Sequence, residues 1–391
     1  MPLPAPTPLA ARPTVALGCT GLHFLTATLR EAREKGFAPV LMHHLTGGDG
    51  TADDGPREML AVTAEALANA GHSSAWGAGC VVRTAADAAA FAAAGYSWFS
   101  FALGDEIDSR AECMSLDELD AAIVALEDSG GYAPAWHAHY TDREWLTASG
   151  RKLRFADEAL ARVAVKFGRA LAHAAQLQQA IRTLWSGHGA APDIELCFAG
   201  RRDRWSDEEF LFLALESARS GLCPVCISPS LGAAWQPGAE YSGDQAELES
   251  LLASAGQIAA LAGLLKVGIH HAAGKADIAS AAKRILGPRT HLDFEEDAWL
   301  ASLDALAHQQ PELFRRWLGV AQEMLPFAAG DAALAITEED IHVLPQVGDE
   351  ELSATFLADM RGRQLLLSTF PDVLRKDRAL REAVSAGPRP R

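Results

Sequence analysis

Short apolar, β-rich runs alternate with alanine-rich stretches of helical periodicity along most of this chain. The β-like runs are TVALGC (14–19), APVLMHH (38–44), YSWFSFAL (96–103), DIELCFA (193–199), LCPVCIS (222–228), LKVGIHH (265–271), RTHLDF (289–294) and QLLLSTF (364–370), with 75–82 a further candidate. Helical patterns fill 57–70, 156–184, 206–220 and 246–262, and Ser115 and Ser206, each with Glu three residues on, read as capping boxes. Strand–helix alternation repeated about eight times predicts a (β/α)8 TIM barrel spanning 14–380, with the doubly wound open sheet as rival. The dinucleotide fingerprint does not follow the first run, which weakens the rival. The stretch 312–360 breaks the alternation and reads as a mainly helical insertion, and 1–13 and 381–391 read as disordered tails.

Polar residues at the ends of successive parallel strands converge on one mouth, which is where barrel chemistry sits. His43 and His44 end the second run, Asp105, Glu106 and Asp108 follow YSWFSFAL, and His270, His271, His291 and Asp293 close the sixth and seventh runs. Two imidazoles with a carboxylate form a frequent catalytic metal set. We expect His270 and His291, with Glu106 as the carboxylate, to hold a divalent ion (Zn, Mn, Ni, Co or Fe); on spacing alone, buried histidines bonded to backbone fit equally well. Asp105, Asp108 and Lys275 are the expected acid–base residues, and His43, His44, Arg201 and His271 the expected substrate contacts.

Composition narrows the class without choosing a substrate. The 391 residues, 49% apolar, can bury a large core. With 51 acids against 34 bases and a charge of −17, nucleic acid and anionic membranes are poor partners. Six scattered cysteines suit a reducing cytoplasm, and Cys223-Pro-Val-Cys226 lies in an apolar run unlike a redox or zinc motif. The proline-rich start reads as a loose tail and not as a secretory signal, and with no apolar stretch of spanning length no membrane span is expected. Oligomeric state is not encoded in any of these features.

Several segments resemble the tagaturonate/fructuronate epimerase family, metal-dependent sugar-acid epimerases. AVKFGRALAHA (164–174) is nearly that family's helix, and GYSWFSFALGDEID (95–108) is similar to its strand ending G-D-H-V-D. SPSLGAAWQPGAEYSGD (228–244) matches its A-P-R-F-V-G…G-V-D-Y-I-G-D stretch at Pro229, Gly238, Tyr241, Gly243 and Asp244. His270 and Lys275 fall on H-S-G-S-D-K, His291 on L-V-H-V-K-T-A-G, and STFPDVLRKDRAL (368–380) closes the match. The resemblance implies a barrel, a sugar or sugar-acid ligand and a divalent metal.

Polar positions differ from the family pattern. Its V-D-E-T acids fall on Ala199 and Gly200, its A-P-R arginine on Ser230, and its H-S-G-S-D-K aspartate on Gly274. The histidine before its T-F-G is Leu367, and its D-P-G-D-H turn meets Ala102 and Glu106. Epimerisation beside a carbonyl needs a base able to remove and return a proton, and a lost base costs about 10²- to 10⁴-fold. The expectation is an epimerase or isomerase with an altered site; a non-catalytic carbohydrate-binding barrel and a barrel aldolase or hydrolase are the alternatives.

Overall fold

Along β1 (Thr14–Gly18), Val15 and Leu17 join the large outer core, while Ala16 packs with Ala38, Val40, Met42, Trp98 and Cys226 in a separate inner cluster. A period of two along a strand buried on both faces produces this division, and closing the sheet makes the second set an interior. In the computed structural model, which describes residues 5–10, 12–19, 25–44, 55–185, 190–264, 266–329, 334–337 and 347–386, eight parallel strands close into that barrel. They are β1, β2 (Ala38–His43), β3 (Gly77–Val82), β4 (Trp98–Ala102), β7 (Asp193–Cys197), β8 (Cys226–Ser228), β9 (Lys266–Ile269) and β10 (Thr290–Asp293), with β10 pairing β1. A short hairpin, β5 (Trp145–Leu146) and β6 (Lys152–Leu153), lies in the β4–β7 connection and outside the barrel.

The eighth barrel strand is β3, not 364–370. GAGCVV carries little β propensity, but its small residues suit the interior: a Cβ on Gly79 would fall on the Met42 sulphur and within 2.7 Å of Val40. QLLLSTF instead lies in the helix Met360–Lys376, where Gln364, Leu365, Leu366, Leu367, Thr369 and Phe370 are all buried. A short apolar run buried on several sides has no period that separates strand from helix.

Helix starts follow their local chemistry. Ser115 and Ser206 both form the capping boxes their spacing indicates, opening α4 (Leu116–Asp128) and α6 (Asp207–Arg219). The long α5 (Asp157–Leu184) packs beside α4 on the barrel's outside.

After β10 the chain enters α9 (Glu295–Gln309) and α10 (Pro311–Ala329), which build a second core with the helix Met360–Lys376. Trp299 stacks on Phe370 there, ring centres 4.6 Å apart. Arg363 donates to the Gly238 carbonyl (2.6 Å) and Gln364 to Gln236 (2.8 Å), so this helical unit is docked on the loop after β8.

The ends are more ordered than their composition suggests. Leu9 is buried against the barrel floor and donates its amide to Asp193 (2.5 Å). Arg378–Ala386 forms a helix with Leu380 and Val384 buried. Parts of the predicted tails (1–4, 11 and 387–391) and of the 312–360 insertion (330–333 and 338–346) lie outside the described residues. Among the described residues, no helix is long and apolar enough to cross a membrane.

Candidate active site

Alternation along β7 turns Asp193 and Glu195 into the barrel, an unusual place for charge that requires partners. Glu195 receives them from three strands. Ser228 at the end of β8 donates to its Oε1, Trp98 at the start of β4 donates to its Oε2 (3.3 Å), and His270, just past β9, places Nε2 2.8 Å from Oε1. Gly268 keeps this layer open: a Cβ there would collide with Ser228 and lie 3.0 Å from Glu195 Oε1. His291, second residue of β10, stacks on Trp98 (4.5 Å between centres) and turns Nε2 toward Glu195 Oε2 at 3.9 Å.

Each histidine is oriented through its other nitrogen. Asp293 Oδ2 holds His270 Nδ1 at 2.8 Å, and Thr14 Oγ1 holds His291 Nδ1 at 2.9 Å. His291 Nε2 is buried and has no hydrogen-bond partner. One ligand atom from each of Glu195, His270 and His291 lies within 4.8 Å of the others, so this buried group can hold a metal ion. Two imidazoles and a carboxylate, each fixed from behind, are a donor set suited to a divalent transition metal.

Charge in this group is mutually dependent. Burial opposes ionisation of Glu195, but His270 and His291 and the hydrogen bonds from His270 and Ser228 hold its carboxyl well below the usual range. Burial also works against a charged His270, yet Cys197, Glu195 and Asp293 raise it well above its ordinary value. Burial lowers His291 to about 4; Glu195 opposes this, and His270 and Lys266 add to it.

A second tier lies at the barrel mouth. The segment Asp293-Phe294-Glu295-Glu296 pairs three carboxylates with three histidines from elsewhere. Besides Asp293 with His270, Glu295 meets His44 Nε2 at 2.7 Å and Glu296 meets His271 Nδ1 at 2.6 Å. His271 has a left-handed backbone (φ 56°), uncommon for a residue with a Cβ. A Cβ on Gly200 would come within 3.3 Å of its Nε2, so glycine leaves room beside that imidazole.

Other expected site residues are engaged differently. His43 points outward, because its neighbour Met42 fills the interior; it bonds Thr63 (2.9 Å) on α2 (Pro56–Asn69), and burial lowers it to about 3. Glu106 does not join His270 and His291: it pairs with Arg169 (2.9 Å), and the carboxylate beside the histidines is Glu195. Asp108 is gripped by Arg110 (2.6 and 2.8 Å) and caps the turn that follows it, while Asp105 is exposed. Arg201 ties its loop to the Gly104 carbonyl (3.0 Å) and Ser109 (2.6 Å). Lys275 donates to the carbonyls of His271 (2.7 Å) and Gln236 (3.0 Å) over the Trp235 ring. Glu195 lies mid-strand and not at a strand end; its signal in the sequence is the polar Asp193 and Glu195 alternating with Ile194 and Leu196 in a buried run.

The same architecture occurs in solved structures. A one-glycerol complex of fructuronate-tagaturonate epimerase UxaE from Cohnella laeviribosi aligns with a TM-score of 0.75 at 19% identity, covering 98% of this chain and 81% of that one. The two-glycerol complex of that protein aligns at 0.78 with 20% identity, covering 98% and 79%. The tagaturonate/fructuronate epimerase of Thermotoga maritima is 24% identical over 236 residues, 60% of this chain; the match spans about half, 47%, of that relative's length. A profile of the tagaturonate epimerase family, UxaE, matches residues 5–384, nearly the whole barrel and its helical unit, and the chain therefore belongs to the tagaturonate epimerase family.

Proposed function

We propose that this protein is a metal-dependent sugar or sugar-acid epimerase whose site departs from the family pattern. One observation carries the reading: Glu195, His270 and His291 converge inside the barrel with the His291 Nε2 buried and unpaired. A buried imidazole nitrogen without a partner is costly unless something binds there. A divalent ion (Zn, Mn, Ni, Co or Fe) fits the three donors and, when bound, would supply Lewis-acid polarisation of a substrate carbonyl.

The chain's own residues hold the donors and handle protons. Asp293 and Thr14 keep the ring nitrogens of His270 and His291 pointed inward, and Ser228 and Trp98 fix Glu195. Asp105, Asp108 and Lys275 were the expected acid–base groups; Asp108 and Lys275 have structural partners, and Asp105 is exposed. His271, held through Nδ1 by Glu296, is the better-placed proton carrier, with His44 on Glu295 as the second. Both belong to the substrate-contacting set with Arg201. Six free cysteines fit a reducing cytoplasm as its location.

The commitment of Asp108 and Lys275 to structural contacts also favours a second reading, a barrel that binds carbohydrate without turning it over. Following hydrogen–deuterium exchange into candidate sugars by NMR, with the metal content measured on the same sample, separates the two. Metal and exchange together support the epimerase; sugar binding without either supports the binding protein.

A further inference from the structure

Three carboxyl groups crowd the inner wall of the mouth beyond the Glu195 layer: Asp293, Glu295 and Glu296, each more than nine-tenths buried. Their ionic partners are histidines. Among the described residues, no arginine or lysine pairs with them directly: Arg201 is held by Gly104 and Ser109, Arg110 by Asp108 and Arg169 by Glu106, and Lys275, whose charge is felt at Glu296, gives its hydrogen bonds to two carbonyls. Arg202, next along the loop after β7, is exposed.

Two positions where the family pattern carries a cation carry none here. Ser230, at the arginine of A-P-R, is buried and donates to the Arg201 carbonyl (3.0 Å). The segment with His291 reads R-T-H-L-D-F-E-E against L-V-H-V-K-T-A-G, placing Asp293 at the lysine and Glu295 and Glu296 at small residues. Away from the proposed metal ligands, a substrate carboxylate would thus face carboxylates where the family pattern has cations or small residues, an arrangement that disfavours it.

Glu296 adds a positive preference. Its Oε1 holds His271, but its Oε2 is buried with no partner. A carboxylate oxygen only accepts, so it is satisfied by a hydroxyl and opposed by another carboxylate. Resting on the reading of this site as that of a sugar epimerase, we infer that it takes an uncharged ketose in preference to the corresponding uronate, with Glu296 accepting a hydrogen bond from a sugar hydroxyl.

The test compares D-tagatose with D-tagaturonate, which differ at the terminal carbon by hydroxymethyl against carboxylate. Binding to the full chain is titrated by saturation-transfer NMR, and metal content is measured on the same sample. We expect tagatose to bind at least about 10-fold more tightly. Glu296→Gln should weaken tagatose about 10-fold and strengthen tagaturonate, a reversal that a general loss of fold would not produce. Tighter binding of tagaturonate, equal binding of the two, or no binding of either overturns the inference. Metal-loaded protein that prefers tagaturonate defeats it while leaving the epimerase reading intact; metal-free protein that prefers tagatose does the reverse.

Discussion

His291 and Glu195 face each other across the barrel interior at 3.9 Å, Nε2 to Oε2, with no hydrogen bond made by that nitrogen. The gap is too long for a hydrogen bond and suits two groups that share a third. The wild-type protein should carry a divalent metal by elemental analysis, and replacing His270 by Ala or Glu195 by Gln should remove it. His308→Ala, on the exposed face of α9, and Glu106→Gln, whose partner is Arg169, should leave it in place. Full metal content in the His270 variant would remove that residue from the site.

Asp293 orients one of the proposed metal ligands, His270, from behind. Orienting carboxylates of this kind typically contribute about 10- to 100-fold in metal affinity. Asp293→Asn should therefore weaken the metal by that order in a chelator competition, with far less effect on the fold than losing Glu195. A buried ion pair broken on one side costs about 3–5 kcal/mol, so Glu195→Ala should also lower the melting temperature.

Gly268 tests whether the interior layer is as closely fitted as the geometry indicates. Alanine there would meet Ser228 and Glu195 Oε1. Overpacking a core position costs about 1–3 kcal/mol. The Gly268→Ala protein should lose stability by that amount in urea titrations and bind metal more weakly. Gly104→Ala, with nothing near the added carbon and an ordinary φ, should match the parent.

Lys275 gives the pH dependence. Burial lowers its ammonium from 10.5 to about 8, with Glu296 and Asp297 opposing the shift. A lysine whose folded value is depressed loses stability as pH falls below its unfolded value, most of it between 10.5 and about 8, and regains it at high pH. The penalty at neutral pH is about 3 kcal/mol at most, and two hydrogen bonds to carbonyls offset part of it. Lys275→Met should thus be most favourable, relative to the parent, at pH 7. That advantage should shrink as pH rises from 8 to 10. A parent–variant difference independent of pH would mean that the lysine is not held in a charge-averse site.

Tagaturonate–fructuronate interconversion should be weak. Ala199, Gly200 and Ser230 stand where the family pattern has two acids and an arginine. Glu195, four residues before Ala199, places one carboxylate in the interior, but neither Lys275 nor Arg201 has turned inward to replace the arginine. Robust turnover of tagaturonate followed by NMR would show that these substitutions carry little weight.

The alternation of β-like and helical runs pointed to the barrel, because strands covered on both faces read as mostly apolar runs wherever they sit. The same alternation placed His270 and His291 toward one interior although 21 residues separate them. It could not place QLLLSTF, whose burial on several sides erases the period, and it offered GAGCVV, within 75–82, only as a further candidate, since its glycines are explained by Met42 and Val40 on the neighbouring strand. Glu106 and Glu195 show the limit at the site. Both are acids near strands, and only the closed register decides that Glu195 meets two histidines while Glu106 meets Arg169. The sequence by itself determined most of the strands and helices, QLLLSTF excepted, since those depend on local periodicity. Tertiary structure alone decided which carboxylate faces which imidazole, since that depends on strand stagger and on side chains hundreds of residues apart competing for one partner.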